Sequence, residues 1–136
     1  MARIIGIDYG TKRVGLAVTD PLQIIASPLE TVETAKIFDY LSAYLAAEEV
    51  ETIVVGEPFY LDGNPAQIHH LVMAFAELLR VKFPSVKVAF VDERNTSNDA
   101  KKIILQSGIG KQKRRDKSLV DKVSASLILH EYMNWR

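Results

Sequence analysis

Residues 52–56, Thr-Ile-Val-Val-Gly, form a short and almost wholly apolar run without the in–out alternation of a half-exposed strand. A strand with no solvent-facing side has to be covered on both faces, so this chain is expected to build a sheet between layers of helix. The flanking periodicities agree. Residues 3–8 (RIIGID) and 13–19 (RVGLAVT) are β-branched and apolar, and Tyr9-Gly10-Thr11-Lys12 joins them into a predicted hairpin. A third extended piece covers residues 24–32, where Ile24, Ile25, Leu29 and Val32 are interrupted by Pro28. Proline removes a ladder donor, which puts this strand at an edge. Residues 35–48 then change period, with Ile37, Phe38, Leu41, Tyr44 and Leu45 on one helical stripe.

Beyond the run at 52–56, residues 57–64 hold Pro58 and Asp62-Gly63 and read as a loop. A second amphipathic helix is predicted from Pro65, a residue suited to the first helical position, to Lys82. Its stripe is Ile68, Leu71, Val72, Phe75, Leu78 and Leu79. Residues 86–91 form the last strand. Thr96 or Ser97, with Asp99 placed for a capping box, starts a helix to about Gln106 that ends at Ser107-Gly108-Ile109-Gly110. Residues 111–117 are a basic loop, and a final helix runs over 118–134. Three strands followed by two helix–strand crossovers predict an α/β chain with a mixed five-stranded sheet, three strands antiparallel and then two parallel, and helices on both faces. This order resembles that of the ribonuclease H-like fold, with strand 1 central. The length of 136 residues makes residues 1–136 a single domain.

With 48% apolar and 25% charged residues the chain is not disordered, and having no cysteine it can hold no disulfide, thiolate zinc site, iron–sulfur cluster or cysteine nucleophile. A cytoplasmic location fits that composition. The longest stretch without Asp, Glu, Lys or Arg is 63–76, too short and too polar for a bilayer because it holds Gln67, His69 and His70. The amino terminus reaches Asp8 without a signal-peptide core, so no membrane partner is expected.

Three acidic residues stand out. Asp8 ends the run Ile4-Ile5-Gly6-Ile7, where a carboxylate is costly unless it is paired or bound to a cation; alternatively it only opens the Tyr9-Gly10 turn. Glu93 follows Asp92 directly after the strand 86–91, at a carboxyl end where sites gather in open sheets; alternatively the pair favours the start of the next helix. Asp121 shares a helical face with Ser124, Ala125 and Ile128, a face of small and apolar residues that points at the sheet; alternatively it is a first-turn aspartate meeting the helix dipole. The strand order lets the three converge. An all-oxygen cluster suits Mg²⁺ or Mn²⁺, and two such ions about 3.5–4 Å apart would activate water for phosphodiester hydrolysis.

Net charge is zero, but residues 101–122 carry eight basic and two acidic side chains, a local +6 balanced by −6 elsewhere. That segment is either a phosphate-binding patch or a solvated surface. Within it Lys111, Lys113, Arg114 and Arg115 are candidate nucleic-acid contacts, joined by Lys12 and Arg13 in the turn after Asp8 and by Arg94 beside Glu93. Lys12 and Arg13 have the alternative of only shaping the hairpin. His69 and His70, at the edge of their helical stripe, read as surface or satisfied histidines, and Tyr132 and Trp135 as packing anchors.

Residues 5–19 (IGIDYGTKRVGLAVT), 53–63 (IVVGEPFYLDG), 91–97 (VDERNTS) and 121–129 (DKVSASLIL) resemble the successive motifs of the YqgF/RuvX family over essentially the whole chain. The resemblance implies a ribonuclease H-like fold similar to the Holliday junction resolvase RuvC. It also implies a divalent-metal-dependent nuclease that matures the 5′ end of small-subunit ribosomal RNA from its precursor in the cytoplasm. On this resemblance Asp8 (GIDYG), Glu93 (DER) and Asp121 (DK) are the catalytic and metal-holding acids, and the partner is pre-rRNA or branched DNA. Asn95 and Ser124 depart mildly from the family pattern. Glu57, at the strand end where RuvC-like enzymes place a glutamate, is either a fourth ligand or a loop carboxylate. Two other classes compete. The hairpin also resembles that of the actin–Hsp70–sugar kinase ATPases, which need two such domains. A non-catalytic RNA-binding, ribosome-assembly or transcription factor is the other, against which the presence of all three acids argues.

Overall fold

The computed structural model describes residues 2–60, 62–93 and 117–134. Its strands are β1 (Arg3–Asp8), β2 (Arg13–Thr19), β3 (Ala26–Glu33), β4 (Val50–Glu57) and β5 (Lys87–Asp92). The α-helices among these residues are α1 (Ile37–Ala47), α2 (His69–Lys82) and α3 (Lys117–Asn134). The strands form one sheet in the order β3-β2-β1-β4-β5. β1 pairs antiparallel with β2, and β2 with β3, whereas β4 runs parallel to β1 and β5 parallel to β4. This is the expected α/β, ribonuclease H-like sheet with β1 at its centre. Because β1, β4 and β5 share a direction, Asp8, Glu57 and Asp92-Glu93 all lie along one edge of the sheet, the usual place for a site in an open α/β sheet.

Alternation along the strands sorts the side chains into two cores. Ile5 and Ile7 of β1, Val14 and Leu16 of β2, and Ile53 and Val55 of β4 pack with Ile37 and Leu41 of α1 and with Val72, Phe75 and Leu79 of α2. Ile4, Ala17, Val54 and Val91 point to the other face and meet Ala125, Ile128 and Leu129 of α3. Burial of side chains such as Ile128 and Leu129 is worth about 1.5–3 kcal/mol each. The apolar run of β4 is therefore covered on both sides, with Ile53, Val54 and Val55 all fully buried.

Several boundaries differ from the sequence expectation. Ile24 and Ile25 are exposed, and strand β3 starts only at Ala26. The Asp20 carboxylate accepts the Ile24 and Ile25 amides at 2.8 and 2.7 Å, which holds this stretch in a turn instead of a ladder. β3 is an edge strand, as Pro28 requires. Its register shifts beside Pro28, which faces Ala17 while Glu30 faces Leu16, so the proline sits at a bulge. Helix α2 begins at His69 and not at Pro65, because Pro65 is bridged to Phe59 and the Ala66 amide bonds to the Pro58 carbonyl at 3.2 Å. On that helix Leu71 and Leu78 are exposed and Ala76 is buried in their stead, so the buried stripe is narrower than expected. The expected helix at 96–106 and the basic loop up to residue 116 lie outside the described residues. No helix among the described residues is long and apolar enough to cross a membrane.

Candidate active site

Asp8 continues the register of Ile4 and Gly6, which puts its side chain on the α3 face of the sheet. Glu93 directly follows β5, and its amide bonds to the Glu57 carbonyl at 3.1 Å, which extends the parallel ladder by one step. Its carboxyl lies over Gly56, on the face that Ile128 covers; a Cβ at position 56 would collide with both. Asp121 enters from α3. The helix comes so close to β2 that a Cβ on Gly15 would overlap the Asp121 backbone carbonyl and stand 2.9 Å from its Cβ. Glycine at 15 and 56 is thus what lets the helix and the third acid approach the sheet.

The carboxyls of Asp8 and Glu93 are hydrogen-bonded to each other, which requires a proton between them. Burial raises the Asp8 carboxyl to about 7, helped by repulsion from Asp121 and opposed by the hydrogen bond from Glu93. Burial also raises Glu93 to about 9, followed by repulsion from Asp8, the hydrogen bond it donates to Asp8, and repulsion from Asp92. Asp121 faces a different partner: its Oδ2 accepts from Arg13 Nε at 2.8 Å. Arg13 and Asp121 line an open cleft of about 330 Å³ together with Gly10, Thr11, Lys12 and Ile68.

Among the described residues no three His, Cys, Asp or Glu side chains stand close enough together to enclose a metal ion. The donor chemistry nevertheless fits a hard divalent cation. Two hydrogen-bonded carboxyls, both raised chiefly by burial, stand near a third carboxylate, and hard oxygen donors of this kind suit a cation that offsets their buried charge.

Glu57 goes elsewhere. It keeps the parity of Ile53 and Val55, so it points to the α2 face, where its Oε2 meets His69 Nε2 at 2.8 Å and the Phe59 ring lies 5.4 Å from the imidazole. Glu57 is therefore neither in the loop nor beside Asp8 but is the last residue of β4, paired with His69, and His69 has the partner expected of a satisfied histidine. Tyr132 packs against the α3 core, as an anchor should. Of the candidate nucleic-acid contacts, Lys12 and Arg13 line the cleft, whereas Arg94, Lys111, Lys113, Arg114 and Arg115 lie outside the described residues. Thr11 and Ile68 were not singled out by sequence. Thr11 reads there only as part of the hairpin turn and its motif, and Ile68 only as part of a helical stripe; the approach of the β1–β2 turn to the residue before α2 puts them in the cleft. Ser124 is fully buried against the sheet, and its hydroxyl has no hydrogen-bond partner among the described residues.

Solved structures share this architecture. T. thermophilus RuvC in complex with a Holliday junction superposes with a TM-score of 0.60 at 20% identity, over 99% of this chain and 96% of that one. A second T. thermophilus RuvC structure gives a TM-score of 0.53 at 18% identity, over 98% and 96% of the two chains. These likenesses show the ribonuclease H-like fold. Sequence relatives are much nearer. A protein of Porphyromonas gingivalis named as a candidate pre-16S rRNA nuclease is 48% identical over 98% of this chain and 97% of its own length. One of the same name from Flavobacterium johnsoniae is 43% identical over 98% and 97%. The model of the RuvX family, described as Holliday junction resolvase, matches residues 2–135. With that match spanning nearly every residue and such relatives covering the same length, the chain belongs to the RuvX family.

Proposed function

We propose that this chain is a divalent-metal-dependent nuclease that hydrolyses phosphodiester bonds of a small-subunit ribosomal RNA precursor, with Asp8, Glu93 and Asp121 as its catalytic acids. The observation that carries the reading is the buried Asp8–Glu93 pair at the carboxyl edge of the sheet, two hydrogen-bonded carboxyls raised by burial first, Asp8 further by the charge of Asp121 and Glu93 further by that of Asp8. Carboxyls so perturbed, at a sheet edge where sites gather, mark a functional site. The names of the relatives supply the substrate class. A cytoplasmic location goes with that substrate, and the chain works as one unit over residues 1–136.

Mg²⁺ or Mn²⁺ is the cation the oxygen donors call for, and when bound it supplies the Lewis acidity that activates water and neutralises charge at the phosphate. The chain's own residues do the rest. Asp8 and Glu93 would hold the cation from the strand ends, and Asp121 would add its carboxylate from α3. Lys12 and Arg13, lining the cleft next to Asp121, hold the phosphate backbone there, and the basic residues Arg94, Lys111, Lys113, Arg114 and Arg115 extend that hold without reading sequence.

A second reading, four-way DNA junction resolution, is favoured by the description of the family model. One assay separates them: cleavage of a precursor RNA and of a four-way DNA junction in Mg²⁺ or Mn²⁺, with Asp8→Asn as control. The proposal expects RNA cleavage that leaves a 5′-phosphate, stops in EDTA and is absent in the variant. Cleavage of the junction alone favours the second reading. Activity that persists in EDTA, or in Asp8→Asn, overturns the metal-dependent mechanism.

A further inference from the structure

The acid that completes the candidate site is already engaged. Asp121 Oδ2 accepts from Arg13 Nε at 2.8 Å, and the two side chains are only 24% and 36% exposed. Asp8 pairs with Gly15 in the β1–β2 ladder, and Gly15 is the residue that the Asp121 backbone abuts, so Asp121 stands next to the strand end that carries Asp8. Both ends of the ion pair are fixed at the backbone. Arg13 opens β2 opposite Glu33 of β3, and the Asp121 carbonyl presses on Gly15. What can move is side chain only: the long arginine stem and the aspartate carboxylate.

A guanidinium and a divalent cation cannot both occupy one carboxylate side by side at full strength, since like charges a few ångströms apart repel. Arg13 on its stem can reach either Asp121 or the cleft that both residues line with Lys12. A freed guanidinium is the side chain best shaped to take two oxygens of a phosphate. We propose that Arg13 is the resident counter-ion of Asp121, is displaced when a divalent cation loads the site, and is thereby handed to a phosphate of the nucleic acid in the cleft. This inference rests on the nuclease reading and adds a coupling to it: cation and nucleic acid bind with mutual reinforcement because one arginine leaves the first and joins the second. Arg13 is then a positioning residue that times the assembly of the site.

The test needs no turnover. Titration calorimetry with Mn²⁺ alone, without nucleic acid, compares the parent with Arg13→Gln, Lys12→Gln and Asp121→Asn. Loss of the competing guanidinium should tighten Mn²⁺ binding about tenfold, within the usual range of coupling between sites, whereas Lys12→Gln removes an equal charge and should change it far less. Anisotropy with a labelled RNA should show Ca²⁺ strengthening RNA binding in the parent, and that gain should vanish in Arg13→Gln. In the parent itself, which avoids any question of variant folding, the Arg13 Nε–Hε NMR signal should shift and exchange faster with water as Mg²⁺ is added. If Mn²⁺ binds through Asp121 but Arg13→Gln leaves the affinity unchanged or weakens it, or the Arg13 signal ignores Mg²⁺, the exchange is wrong while the nuclease reading stands. If the parent takes up no Mn²⁺ at millimolar concentrations, the metal-dependent reading itself fails, and the exchange with it.

Discussion

Asp8 and Glu93 carry the clearest physical signature at the residue scale, since both carboxyls are displaced upwards, from 3.8 to about 7 and from 4.5 to about 9. Between the unfolded and folded values the folded state binds more protons than the unfolded one. Stability from this source is therefore fully present below about pH 4 and is lost as pH rises through 7 and then 9. A displacement of this size is worth a few kcal/mol, at about 1.4 kcal/mol per pH unit. In EDTA the thermal midpoint should fall as pH is raised from about 5 to about 9, and Asp8→Asn or Glu93→Gln should flatten that fall and raise the midpoint at alkaline pH. Adding Mg²⁺ near pH 8 should recover much of the loss in the parent, because a ligand that binds only the folded state stabilises it. Asp121→Asn should bring no such gain, since it gives up the bond from Arg13. Differential scanning calorimetry across pH checks all three, and a midpoint flat with pH in the parent would refute the strained pair.

At the scale of elements, the site depends on how closely α3 lies against β1, β2 and β4. Its inner face is small or aliphatic, with Ser124, Ala125, Ile128 and Leu129 all fully buried. Gly15 marks the tightest point, because the obstacle there is the Asp121 backbone, which has no rotamer to move out of the way. Gly15→Ala should push the helix outward, cost about 2–3 kcal/mol as overpacked sites do, and lengthen the Arg13–Asp121 contact. Urea unfolding would read the first effect, and loss of the slow-exchanging Arg13 Nε–H signal the second. An alanine at 15 with parental stability would mean that α3 is not held at this distance. β3 shows the opposite design: as an edge strand it can give up a ladder donor at Pro28 and absorb the extra residue in a bulge.

On the scale of the whole molecule, the sheet separates two chemistries. The α3 face holds Asp8, Glu93, Asp121 and Arg13, and the α2 face holds the Glu57–His69 pair. Charge is segregated along the chain as well, with +6 over residues 101–122 against −6 elsewhere. A neutral protein with such a basic segment can attract a polyanion locally while its acids repel it, until cations neutralise them. Replacing Lys111, Lys113, Arg114 and Arg115 with glutamine should weaken binding to all nucleic acids alike and flatten the slope of log K against log[salt] by about three, at about 0.7–0.9 per phosphate contact. An unchanged slope would return these residues to the category of solvated surface.

Periodicity determined the elements, since strand and helix repeats are local properties of a sequence. The apolar run of β4 announced a sheet covered twice, Pro28 announced an edge, and the crossover rule then left few strand orders open. The acids were legible for the same reason, because Asp8 breaks an apolar run and Asp121 sits on a buried helical face, and both anomalies show in a single segment. Helix α2, by contrast, starts four residues later than Pro65 invites, as the Pro65–Phe59 bridge is a contact that local propensity does not contain. Glu57 had two readings in the sequence, and only the parity of β4 together with the placement of His69 on α2 turned it away from Asp8. The union of Arg13 with Asp121, 108 residues apart, was likewise decided by α3 closing over Gly15. So were the raised carboxyls of Asp8 and Glu93. Charge, burial and mutual distance set a proton's affinity, and for groups brought together from distant segments those exist only once the chain has folded.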